Sequence, residues 1–131
     1  MRKKKKNDFL TEVELEFMTQ LWELGKATVR DVLAKLAPDR NLAYTSGATI
    51  MRILEQKNFV TSSKRGKTLV YSPLLARDAY QARSLRNMSE KLFDNAPVAL
   101  VARLVDDTDL SEEVLAEMRE LLDRRLRENG S

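Results

Sequence analysis

The stretch Tyr44-Thr45-Ser46-Gly47-Ala48-Thr49-Ile50-Met51-Arg52-Ile53-Leu54-Glu55-Gln56-Lys57-Asn58 runs directly into Phe59-Val60-Thr61-Ser62-Ser63-Lys64-Arg65-Gly66-Lys67-Thr68-Leu69-Val70-Tyr71-Ser72-Pro73. The first half carries apolar residues at helical spacing, with Ile50, Ile53 and Leu54 as the expected inward face. Asn58 stands where a helix terminator is needed, and Asn follows Gly as the usual choice for that left-handed position. Beyond it the period changes. Residues 59–63 and 68–72 are rich in strand-forming types, and Lys64-Arg65-Gly66-Lys67 between them predicts a basic turn, hence a two-stranded hairpin closed by Pro73.

Upstream, two more helices are expected. Thr11 and Glu14 have capping-box spacing, and Leu15, Met18, Leu21 and Trp22 follow at helical intervals until Gly25. Thr28 can cap a second helix of about ten residues with Val29, Val32, Leu33 and Leu36 on its apolar face, ended by Pro38. Three helices followed by a hairpin read as a winged helix-turn-helix over residues 9–74, with the third helix as the one that enters a major groove.

Downstream of Leu75 the pattern is helical. A long helix is expected from Arg77 to Phe93 with Tyr80, Leu85, Met88 and Leu92 as its main apolar positions. Asn95 and Pro97 interrupt it, and Val98, Leu100, Val101, Leu104 and Val105 form a short helix. Asp106, Asp107, Thr108 and Asp109 read as an acidic loop, and a last helix starts near Ser111 with Val114, Leu115, Met118, Leu121, Leu122 and Leu126 along it. The fold class is therefore mainly α with a small β-hairpin, and residues 75–131 are expected to be a helical dimerisation domain. The dimer face is assigned to Leu85, Met88, Leu92, Leu100, Leu104, Val114, Leu115, Met118, Leu121 and Leu122, because three helices with broad apolar faces need a partner surface. A two-fold dimer presents two reading helices to one duplex.

Charge separates the halves. Residues 1–75 carry 14 Lys/Arg against 8 Asp/Glu; residues 76–131 carry 9 against 12. A basic first half suits a polyanion. Arg2, Lys3, Lys4, Lys5 and Lys6 form an expected flexible basic tail over residues 1–8, able to bind phosphates. On the third helix, Tyr44, Thr45, Ser46, Ala48, Thr49 and Arg52 are the candidate DNA-contacting residues, since small polar and cationic side chains on an exposed N-terminal face read base edges. Lys64, Arg65 and Lys67 at the hairpin tip are candidate phosphate contacts; lysines there also deter edge pairing. The alternative is a winged helix that docks a protein partner through the same exposed helix, without operator binding.

The chain of 131 residues has no Cys and no His. Disulfides, Cys/His metal sites and His- or Cys-based catalysis are excluded, and neither an enzyme nor a cofactor is expected. Glu12, Glu14 and Glu16 read as first-turn charges complementing a helix dipole. No apolar run approaches the ~20 residues that span a bilayer, and the basic N-terminus lacks the apolar stretch of a signal peptide, so a cytoplasmic protein without membrane insertion is expected.

Leu10-Thr11-Glu12 through Leu21-Trp22-Glu23, Ala43-Tyr44-Thr45-Ser46 with Thr49, Val70-Tyr71-Ser72-Pro73-Leu74, Leu92-Phe93 and Leu110-Ser111-Glu112-Glu113 together resemble the penicillinase repressor family, which includes repressors of β-lactamase, methicillin-resistance and copper-responsive genes. The resemblance implies a homodimeric transcriptional repressor on a palindromic operator, controlling β-lactam resistance or a related stress response, and relieved by a membrane sensor-protease system that leads to cleavage in the C-terminal region. The chain departs from the pattern at Gly47 and Ala48, where an aliphatic and a basic residue are common, and at Arg103-Leu104, where some members carry a cleaved Asn-Phe pair. Gly47 costs a helix roughly 1 kcal/mol relative to Ala.

Overall fold

Thr11 opens the first helix of the computed structural model, which describes residues 9–130. Its hydroxyl accepts the Glu14 N–H at 3.2 Å, and its own N–H donates to Glu14 Oε1 at 2.9 Å. The helix so capped is α1 (Glu12–Leu24), and Gly25 ends it at φ 83°, where a side chain would be strained. The buried stripe of α1 is Glu14, Phe17, Met18 and Leu21. Leu15, expected inside, is 40% exposed, and Phe17 takes the core position instead. With Leu15, Phe17 and Met18 all apolar, spacing alone did not phase the face.

The second helix, α2 (Val29–Lys35), has a capping box of its own between Thr28 and Asp31. It is shorter than its sequence suggested. The chain turns extended at Leu36, two residues before Pro38, and proline also disfavours helical geometry at the residue preceding it. Helix α3 (Tyr44–Gln56) follows and buries Gly47, Met51 and Leu54. Ile50 and Ile53, expected to lead the inward face, are only half-buried, and Met51 holds the central place between them.

Gly47 has a packing reason. A Cβ there would lie 3.1 Å from Val29 Cγ1 and 3.2 Å from Leu33 Cδ2, so its absence lets α2 and α3 approach closely. Helix α3 ends in a Schellman motif: Asn58 sits at φ 69°, its N–H donates to Glu55 O, and the Phe59 N–H reaches Leu54 O, with Leu54 and Phe59 both buried.

The hairpin is β1 (Val60–Arg65) and β2 (Thr68–Pro73), antiparallel, with Val60 opposite Pro73 and Arg65 opposite Thr68. The first strand starts one residue later and runs two residues further than expected. Lys64 and Arg65 therefore lie on the strand, and the turn is only Gly66-Lys67, with Gly66 at φ 65° as a two-residue hairpin loop requires. Ala27 pairs with Tyr71 in both directions at 2.8 and 2.9 Å, which ties the hairpin to the segment before α2.

Helix α4 (Arg77–Leu92) begins on this same compact unit, which extends to Ser84. The unit passes Leu74 because Tyr80 joins its core: the ring lies 5.8 Å from Phe59 and 6.2 Å from Trp22, and its hydroxyl accepts the Leu10 N–H at 2.9 Å. From Leu85 a second unit comprises the rest of α4, α5 (Pro97–Asp107) and α6 (Glu112–Gly130). Asp94 and Asn95 carry positive φ between the first two, Pro97 sits in the first turn of α5, and Ser111 Oγ accepts the Val114 N–H at the start of α6. Asp106 and Asp107, expected in a loop, extend α5; Asp107 pairs with Arg103 one turn back at 2.7 Å. Within this unit no described residue is buried.

Candidate nucleic-acid interface

Ala43 precedes α3 and offers no side-chain cap. The first-turn N–H groups of a helix lack internal partners, and here the first internal bond is Gly47 N–H to Ala43 O at 3.0 Å. The start of α3 thus presents N–H groups that no side chain caps, the arrangement in which helix N-termini favour negative charge. Tyr44, Thr45, Ser46, Thr49 and Arg52 are all exposed along it, and Ala48 is half-buried, leaning on the core. The Thr49 hydroxyl donates to Thr45 O at 3.1 Å and accepts from Arg52 Nη2 at 3.4 Å, which holds the guanidinium along the helix surface.

Lys64, Arg65 and Lys67 are exposed. Side chains alternate along a strand, so Lys64 and Arg65 leave opposite faces of β1. Lys67 instead borders a groove with Arg30, Arg52, Tyr44, Leu69 and Tyr71. The hairpin is fixed beside α3 by Ser62 Oγ donating to Glu55 Oε2 at 2.9 Å and by buried Tyr71. Burial pushes the Tyr71 phenol above its ordinary value, and the Glu55 carboxylate adds to the rise.

Sequence reasoning missed three participants. Arg30, on α2, places its guanidinium 5.0 Å over the Tyr44 ring. The signal was available in the docking geometry, since the helix before a reading helix crosses the DNA backbone. Arg40 forks onto both oxygens of Glu16 at 2.8 and 2.7 Å, clamping the connection that leads into α3. That hydrogen-bonded fork, with the attraction of the charge, holds the Glu16 carboxyl below its ordinary value and raises Arg40. Lys57 pairs with buried Glu14 at 2.7 Å. Glu14 and Glu16 are therefore structural partners of α3 and its approach, in addition to lying in the first turns of α1.

The tail residues Arg2, Lys3, Lys4, Lys5 and Lys6 lie outside the described residues. In the second unit, Leu85, Met88, Leu92, Leu104, Val114, Leu115, Leu121 and Leu122 are exposed, and Leu100 and Met118 are half-buried. No described helix is long and apolar enough to cross a membrane.

Comparison with known proteins gives the same outline. The sequence model of the penicillinase repressor family matches residues 10–124. The transcriptional regulator BlaI of Mycobacterium tuberculosis is 30% identical over 116 residues, covering 83% of this chain and 84% of that protein. The methicillin resistance regulatory protein MecI of Staphylococcus aureus is 22% identical over 116 residues, covering 88% and 94%. Among solved structures, the DNA-binding domain of the repressor BlaI aligns with a TM-score of 0.50 at 22% identity, over 61% of this chain and 94% of that one, which shows the winged-helix fold.

Proposed function

The chain belongs to the penicillinase repressor family, a family of transcriptional regulators and not of enzymes, and on that premise we propose that it represses transcription as a homodimer bound to a palindromic operator in the cytoplasm. The observation that carries this reading is the uncapped, polar, exposed start of α3 beside a groove whose charged lining residues are all cations. Base readout falls to Thr45, Ser46, Ala48, Thr49 and Arg52, with Tyr44 at the groove edge; backbone phosphates fall to the α3 N-terminus, Lys64, Arg65 and Lys67.

The homodimer is supported by the second unit. None of its described residues is buried, and Leu92, Leu122 and Leu126 are 73%, 59% and 68% exposed, so a second copy would give these apolar side chains the cover that this chain does not. A dimer on a palindrome needs its two α3 helices about 34–36 Å apart, or a multiple of that. Control of β-lactam resistance or a related stress response, and release by a sensor-protease, follow from kinship alone.

Selection of bound sequences from random duplex DNA tests the reading, run with sedimentation of the free protein. The expected result is a palindrome bound by a dimer, with affinity falling steeply as salt rises. A monomer that ignores duplex DNA at low salt overturns it and favours a protein-docking module.

A further inference from the structure

Arg30 stands in the first turn of α2 and is exposed. Its neighbour Asp31 does not pair with it: that carboxylate accepts the Thr28 N–H at 3.0 Å in the capping box. Arg40, Lys57 and Arg103 are held in ion pairs, whereas Arg30 has no carboxylate partner among the described residues. The guanidinium rests instead over the face of Tyr44, 5.0 Å from the ring centre. A cation–ring contact forms no conventional hydrogen bond, so it leaves guanidinium N–H groups able to donate elsewhere. Arg30, Arg52 and Lys67 come from α2, α3 and the hairpin turn and line one groove, whose floor includes Tyr71 and which contains no carboxylate. Their mutual repulsion is uncompensated within this groove, as expected where a polyanion supplies the missing charge.

We infer that Arg30 is a clamp for a DNA backbone phosphate, held in place by the ring of Tyr44, with the strand running through the groove between α2, α3 and the hairpin turn. This rests on the duplex-binding reading above. Arg30 belongs to α2, not to α3, and a helix preceding the reading helix meets the backbone, not the bases. The clamp is therefore indifferent to sequence. Tyr44 is a positioning residue for Arg30 in addition to any contact of its own.

The test measures binding of the full chain to its selected operator and to a random duplex of equal length across a series of salt concentrations. Arg30→Ala is expected to weaken both duplexes by the same factor and to flatten the log–log salt slope by roughly 0.9 for each protomer bound. Arg30→Lys keeps the charge and is expected to keep the slope. Tyr44→Leu, which removes the ring that holds Arg30, is expected to weaken both duplexes. Urea unfolding of Arg30→Ala is expected to match the parent, because the side chain is exposed. If the parent binds duplex DNA with a steep salt slope and Arg30→Ala matches it in slope and affinity, the clamp is overturned and the DNA reading stands. Loss confined to the operator also overturns it, since Arg30 would then be reading bases. If the parent itself has no duplex affinity at low salt, the underlying reading fails and the clamp with it.

Discussion

Lys57 Nζ lies 2.7 Å from Glu14 Oε1, joining the end of α3 to the start of α1 across 43 residues of sequence. The same Glu14 oxygen accepts the Thr11 N–H, and Lys57 also donates to Phe9 O at 3.2 Å. One carboxylate thus closes a helix cap and holds the far end of α3. Both side chains are largely removed from water, so deleting one partner strands a charge. Lys57→Ala is expected to lower unfolding free energy by about 3 kcal/mol. The check is a urea titration; a midpoint that barely moves would show the pair to be a bystander.

Gly47 gives a second test with opposing contributions. Alanine improves helix propensity by roughly 1 kcal/mol. Its Cβ must nevertheless enter space 3.1 Å from Val29 Cγ1, and Val29 is a buried, β-branched residue with little freedom to rotate. Overpacking of this kind costs roughly 1–3 kcal/mol. Gly47→Ala is therefore expected to be destabilising by about 1 kcal/mol net, and Gly47→Val by clearly more. Thermal unfolding decides it: an alanine variant more stable than the parent would mean that α2 yields.

The Glu16–Arg40 fork makes stability depend on pH in a defined direction. The folded carboxyl sits below its ordinary value of 4.5, so the pair's contribution is fully present above that value and fades as pH falls through the lowered one. Arg40→Gln should therefore lie below the parent in stability near neutrality and converge with it in acid. Parallel unfolding curves across pH read this directly. A gap that persists unchanged in acid would assign Arg40 a packing role instead.

Arg52 and the hairpin cations should separate by specificity. Arg52→Ala is expected to reduce the operator-to-random affinity ratio by about tenfold or more, the scale of one lost base contact. Lys64→Ala with Lys67→Ala should weaken both duplexes alike. Competition binding at fixed salt distinguishes them. An unchanged ratio for Arg52→Ala removes it from the base readers, and operator-selective loss in the double variant removes Lys64 and Lys67 from the phosphate contacts.

What the sequence made legible is what neighbours in sequence determine. The Thr11–Glu14 box, Gly25, Asn58 and the Gly66 turn are each fixed within a few residues, and each stands where spacing put it. The phase of an apolar face was harder. Runs such as Ile50-Met51 and Leu15-Glu16-Phe17-Met18 supply more apolar residues than one face uses, and only the neighbouring elements select Met51 and Phe17. The features that escaped altogether are long-range. Arg30 gains meaning from Tyr44 and Glu14 from Lys57, while Gly47 reads as a helix defect until Val29 is seen against it.

The position of Trp22 has a practical outcome. It is the single tryptophan of the chain; its indole N–H donates to Leu75 O at 2.9 Å, and Arg77 covers its ring at 5.5 Å. Both partners belong to the stretch where the chain leaves the hairpin and enters α4. The protein therefore carries an intrinsic fluorophore at that junction. Emission should redshift under any condition that exposes the indole by separating it from Leu75 and Arg77, which gives a label-free optical readout of those two contacts in the unmodified molecule.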